Sequence, residues 1–142
     1  MNTLNAILLI LHFVGLAMGL AVPFSNMVLQ GVAAKAAPPE QAVLARFPPA
    51  MSRVGDIGLS LLLVTGLTMV FTKYGGFAIM PWQFHVKMAA VVLLVALVGY
   101  IHVLMGKARK GDAAAAARIP VIGRLTFLLA LAAVIFAVLA FD

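Results

Sequence analysis

No Lys, Arg, Asp or Glu stands in the chain before Lys35, between Asp56 and Lys73, between Lys87 and Lys107, or between Arg124 and Asp142. Four long charge-free stretches constrain the fold more than any other feature. About 20 apolar residues in α-helix cross the ~30 Å of bilayer hydrocarbon, and each stretch is near that length or longer. In lipid every backbone N–H and C=O must be satisfied within the protein, which leaves helices as the economical solution. The spacing predicts helices over about 4–29, 54–72, 82–105 and 120–141. The expected fold is therefore an all-α integral membrane four-helix bundle, a single transmembrane domain over 1–142.

Composition agrees. The 142 residues are 65% hydrophobic and 10% charged, with a mean hydropathy of +1.16. Soluble domains are about half apolar and a quarter charged, and a chain this short cannot hide so much apolar surface within itself. The first stretch lacks the basic start of a secretory signal, since no Lys or Arg precedes Lys35, and its apolar run exceeds a signal core. It reads as a retained helix.

Breakers mark the connections. Pro38-Pro39 and Pro48-Pro49 lie in the first loop, Tyr74-Gly75-Gly76 and Pro81 in the second. The third runs from Gly106 through Lys107, Arg109, Lys110, Gly111 and Asp112 into the alanine run Ala113–Ala117 and Pro120. Proline favours helix starts, so Pro81 and Pro120 are expected to open the third and fourth helices. Residues 40–52 are expected to form a short interfacial segment.

The net charge of +6 sits mostly on one side. Lys35, Arg46, Arg53, Lys107, Arg109, Lys110, Arg118 and Arg124 fall in the first and third loops, against only Lys73 and Lys87 in the second. Basic loops stay cytoplasmic, which predicts an N-out, C-out protein of a bacterial inner membrane. These charges do not form a soluble basic surface, so nucleic acid is not an expected partner. Without cysteine there are no disulfides, thiolate metal sites or cysteine nucleophiles. No phosphate loop, paired carboxylates or serine triad is present, and hydrolysis lacks its groups.

Ionisable groups within spans are costly and therefore candidates for function. They are His12, Asp56, His85, Lys87 and His102. Helices one and three run in the same direction, which places His12 and His85 in the outer half of the bilayer, able to face one another. His102 follows His85 by about 26 Å of helix axis, near the cytoplasmic surface, so one flat cofactor cannot be held by both. Gly15 and Gly19 share a helical face with His12, and Gly99 and Gly106 share one with His102. Missing side chains beside a histidine leave room for a broad planar ligand such as haem, and neutral imidazole is a good iron ligand. The same glycines also match small-xxx-small helix packing, and an intramembrane histidine can simply bond a neighbour. Arg53 and Asp56, three apart, read as an interfacial ion pair or as an anchor for a carboxylate such as a haem propionate. Lys87 reads as a snorkelling side chain. Ser60, Thr65 and Thr68 can bond helices together or bond a ligand. The eight methionines raise copper as an alternative, since thioether is a soft ligand, although they form no cluster with histidine.

Leu11-His12-Phe13-Val14-Gly15, with Pro23 further along, resembles the first helix of HemJ-type membrane protoporphyrinogen oxidases. Pro81-Trp82-Gln83-Phe84-His85-Val86-Lys87 resembles the tryptophan-x-x-His-x-Lys start of their third helix, and Gly99-Tyr100-Ile101-His102 with its basic tail resembles that helix's end. Met51-Ser52-Arg53 leading to Thr65-Gly66 is similar to their second helix and to the related CopD copper-resistance membrane domains. The chain departs from the pattern at Ala17-Met18, where a tryptophan is usual, and at Ile119-Pro120-Val121-Ile122, where an Asn-Glu pair is usual. The resemblance implies a four-helix protein holding b-type haem, with His12 as an axial ligand. Taken with the histidine spacing, the expectation is one haem or two, with His12 and His85 as ligands on the outer side and His102 a second or alternative site. Arg53 and Lys87 would stand at the family's functionally important basic positions. The implied chemistry removes hydrogens from protoporphyrinogen IX and passes electrons on to a quinone-like acceptor. Two other readings are a CopD-like copper carrier and a non-catalytic subunit of a larger membrane complex. So small a soluble portion also suits a homodimer formed through a helix face.

Overall fold

A computed structural model describes residues 2–142. The described residues are helical almost throughout, with no strand: α1 (Thr3–Ala33), α2 (Pro38–Leu44), α3 (Phe47–Thr72), a 3₁₀ turn (Phe77–Ile79), α4 (Trp82–Arg109) and α5 (Ala113–Phe141). The expected all-α class is correct. Four of the helices, α1, α3, α4 and α5, are long and apolar enough to cross a membrane. At about 1.5 Å per residue they measure roughly 39–46 Å, so their end turns reach beyond ~30 Å of hydrocarbon or the helices tilt within it.

Local chemistry sets most of the ends. Asn2 caps α1 by accepting a hydrogen bond from the Asn5 N–H at 2.9 Å. Asp112 caps α5 in the same way, accepting from the Ala115 N–H at 3.0 Å. Glu40 reaches back to the Ala37 N–H at the start of α2. Pro81 is the N-cap of α4, in accord with the expected start there. Gly111 turns the chain between α4 and α5 at φ 93°, a left-handed conformation that side chains resist.

Two boundaries differ from the sequence expectation. The segment expected as one interfacial piece over 40–52 is divided: α2 ends at Leu44, and 47–52 form the first turns of α3. Pro48 and Pro49 fit there because first-turn residues have no intrahelical acceptor for an N–H. Pro120 does not open the last helix but lies inside α5. The Asp112 cap and the alanine run start the helix earlier, since alanine is the best helix former.

The helices pack as two units, the first ending at Ile79 and the second beginning at Met80. In the first, α1 packs on α3; in the second, α4 packs on α5. Both pairs are antiparallel hairpins. Large aliphatic side chains face outward all along them, among them Ile10, Val64, Val92 and Leu128, each more than 60% exposed. A surface of this kind needs lipid or an apolar partner to cover it. The chain is a multi-pass membrane protein.

Candidate functional site

Glycine brings α1 and α3 together. A Cβ on Gly15 would stand 2.8 Å from the Gly58 carbonyl oxygen, and one on Gly58 would stand 2.7 Å from the Met18 Cβ and 2.9 Å from the Gly15 oxygen. The two backbones therefore touch, as small residues permit between membrane helices. Val22 packs on Gly55 one turn further along, where a Cβ would approach its Cγ2 to 3.3 Å. The face that Gly15 and Gly19 share with His12 is filled by α3, so no slot for a planar ligand opens between α1 and α3 at that level.

This close approach buries a polar seam. Asn5, 6% exposed, meets Thr72, with Oγ1 and Oδ1 2.9 Å apart. Two turns deeper, half-buried His12 meets Thr65, with Nδ1 2.9 Å from Oγ1. Thr65 is 3% exposed and also bonds the Leu61 carbonyl within its own helix. Gly66 lies close to the imidazole edge: a Cβ there would stand 3.1 Å from His12 Cε1. In an antiparallel pair, a step up one helix is a step down the other. The pairing of Asn5 with Thr72 therefore requires that of His12 with Thr65 and of Val22 with Gly55. Thr65 was legible as a polar residue in a span; its pairing with His12 needed this register, and the Asn5–Thr72 pair, unmarked by any motif, follows from it too.

In the second unit, α4 carries the other two histidines. His85 is exposed near the start of α4, its ring edge-on to that of Phe84 at 6.0 Å. Phe84 is buried and packs on Phe141, and Trp82 packs on Phe136. Half-buried Lys87 holds its Nζ 5.9 Å from the Phe141 ring centroid, a weak cation–π approach. Gln83, one turn before Lys87 on the same face, has a buried Oε1 without a hydrogen-bond donor.

His102 is exposed, and its Nδ1 lies 2.8 Å from the Val98 carbonyl oxygen one turn back. A carbonyl has no proton, so Nδ1 donates and the lone pair of the neutral ring is on Nε2. Cβ atoms on Gly99 and Gly106 would meet nothing within 4 Å. The helix surface beside His102 is open, unlike that beside His12. His85 and His102 stand far apart along α4, as their spacing predicts, and His12 belongs to the other unit.

Arg53 is exposed and Asp56 half-buried on α3, where the Ser60 hydroxyl donates to the Asp56 backbone oxygen at 2.8 Å. Among the described residues no group of three or more His, Asp or Glu side chains is placed to hold a metal ion. Comparison of the chain with family models, curated proteins and solved structures returns no match.

Proposed function

We propose that the chain is a membrane-embedded b-type haem protein with a redox role, resembling HemJ-type protoporphyrinogen IX oxidases. One observation carries this reading: an imidazole within a membrane-spanning helix pair, His12, has its Nδ1 tied to a buried hydroxyl. A histidine that ligates a metal through Nε2 is usually oriented by such a bond at its other nitrogen.

A haem brings four nitrogens of its own and needs one or two axial ligands from the protein, a demand that single histidines can meet. His12 would be one axial ligand. On α4, His85 is a further candidate ligand, and His102, beside the open surface at Gly99, is a candidate for a second or alternative site. Gly15 and Gly19 contribute by drawing α3 against α1 and so setting the Thr65 contact.

Haem, when bound, would supply a one-electron couple. The chain's own residues would provide the rest. Arg53, near a span end, is a candidate to hold a carboxylate such as a propionate. Lys87 and Gln83 offer a cation and an acceptor on one half-buried face of α4, suited to a polar group of a porphyrin-like or quinone-like partner. The basic first and third loops support a bacterial inner-membrane orientation with those loops cytoplasmic.

The test is haem stoichiometry and metal content of protein purified from haem-supplied cells. The reading expects iron as protoporphyrin, with at least a tenfold loss in His12→Ala. Copper without porphyrin, or haem content indifferent to all three histidines, would refute it.

A further inference from the structure

We infer that Thr65 is a positioning residue: it fixes His12 in the tautomer with hydrogen on Nδ1 and so turns Nε2 into the ligating nitrogen. The role as ligand rests on the haem reading; the tautomer does not.

The protons at this contact can be counted. The Thr65 hydroxyl has one hydrogen to donate and two lone pairs to accept with. Its oxygen contacts the Leu61 carbonyl, which has no hydrogen, so the hydroxyl's only proton is spent there. The 2.9 Å contact with His12 Nδ1 can then be a hydrogen bond only if Nδ1 donates. In the neutral ring the lone pair is on Nε2.

The geometry leaves the ring little freedom. Thr65 is buried, so water does not replace its hydroxyl. Gly66 presents bare backbone to the Nδ1–Cε1 edge, close enough that one added methyl would crowd Cε1 at 3.1 Å. The backbone contact between Gly15 and Gly58, one turn along, fixes the helix separation at which these bonds form. A hydrogen bond from Nδ1–H to an acceptor raises the basicity of Nε2, and losing such a partner typically lowers metal affinity 10- to 100-fold. It also favours the ferric over the ferrous state, because the more basic nitrogen stabilises the higher charge.

Two measurements test this on the full chain. The first is the ¹⁵N NMR signature of His12 in haem-free wild-type protein, assigned as the resonance lost in His12→Asn. A protonated Nδ1 is expected, and an Nε2–H tautomer would overturn the inference with no variant needed. The second compares wild type, Thr65→Val and Thr65→Ser in the haem-bound form. Valine is expected to weaken haem binding about tenfold or more and to move the midpoint potential positive, by ~59 mV for each tenfold loss of ferric preference. Serine, which keeps the hydroxyl, is expected to restore both. Haem-bound Thr65→Val with unchanged affinity and potential would overturn Thr65's role while leaving the haem reading intact. A wild type that takes up no haem would end the haem reading, and the tautomer would then decide by itself whether Thr65 positions His12.

Discussion

Glycine has two different uses in this chain, and single substitutions separate them. At Gly15 and Gly58 a methyl would have to enter backbone or the base of a side chain, at 2.7–2.9 Å. Gly58→Ala is therefore expected to force α1 and α3 apart and to destabilise the pair by about 1–3 kcal/mol, the usual cost of overpacking. Gly99→Ala and Gly123→Ala meet nothing within 4 Å, and alanine is the better helix former, so these variants should unfold no earlier than wild type. Thermal unfolding in detergent, followed by circular dichroism, checks both; equal losses at Gly58 and Gly99 would contradict the packing described. At this scale the sequence was only partly legible. Gly15 and Gly19 supported either helix packing or room for a ligand, and both uses share one spacing. The choice depends on which helix lies opposite, a tertiary fact that no local pattern contains. His12 was visible as a costly group in a span, whereas its bond to Thr65 appears only when α1 and α3 are in register.

The elements themselves were legible because lipid imposes a simple rule. A stretch without charge and of sufficient length becomes a spanning helix, and the four expected spans lie within α1, α3, α4 and α5. Their boundaries were less so, because a cap and a run of good helix formers can start a helix ahead of a proline. Ala113–Ala117 and Asp112 start α5 ahead of Pro120, which the helix interior accommodates. The cap gives a direct check. Asp112→Ala removes the acceptor for the Ala115 N–H and is expected to cost ~1 kcal/mol, seen as faster amide exchange over the first turns of α5. Asp112→Asn should lose much less, since asparagine caps as well as aspartate. Unchanged exchange in the alanine variant would mean that the alanine run alone sets the start of α5.

Over the whole molecule, four crossings would leave both ends of this chain on one side of the membrane. The proposed orientation puts the first and third loops inside and the second outside. The chain has no cysteine, so single cysteines introduced at Ala36, Gly76 and Ala114 report without background. A membrane-impermeant maleimide added to intact cells is expected to label the Gly76→Cys variant alone; labelling of Ala36→Cys and Ala114→Cys instead would invert the orientation. The central functional claim is read most directly from one absorbance difference spectrum, dithionite-reduced minus air-oxidised, of purified protein from haem-supplied cells. A shifted Soret band with resolved reduced α and β bands is expected, diminished in His12→Ala and displaced little in Thr65→Ser. A flat difference spectrum from folded wild-type protein would contradict it.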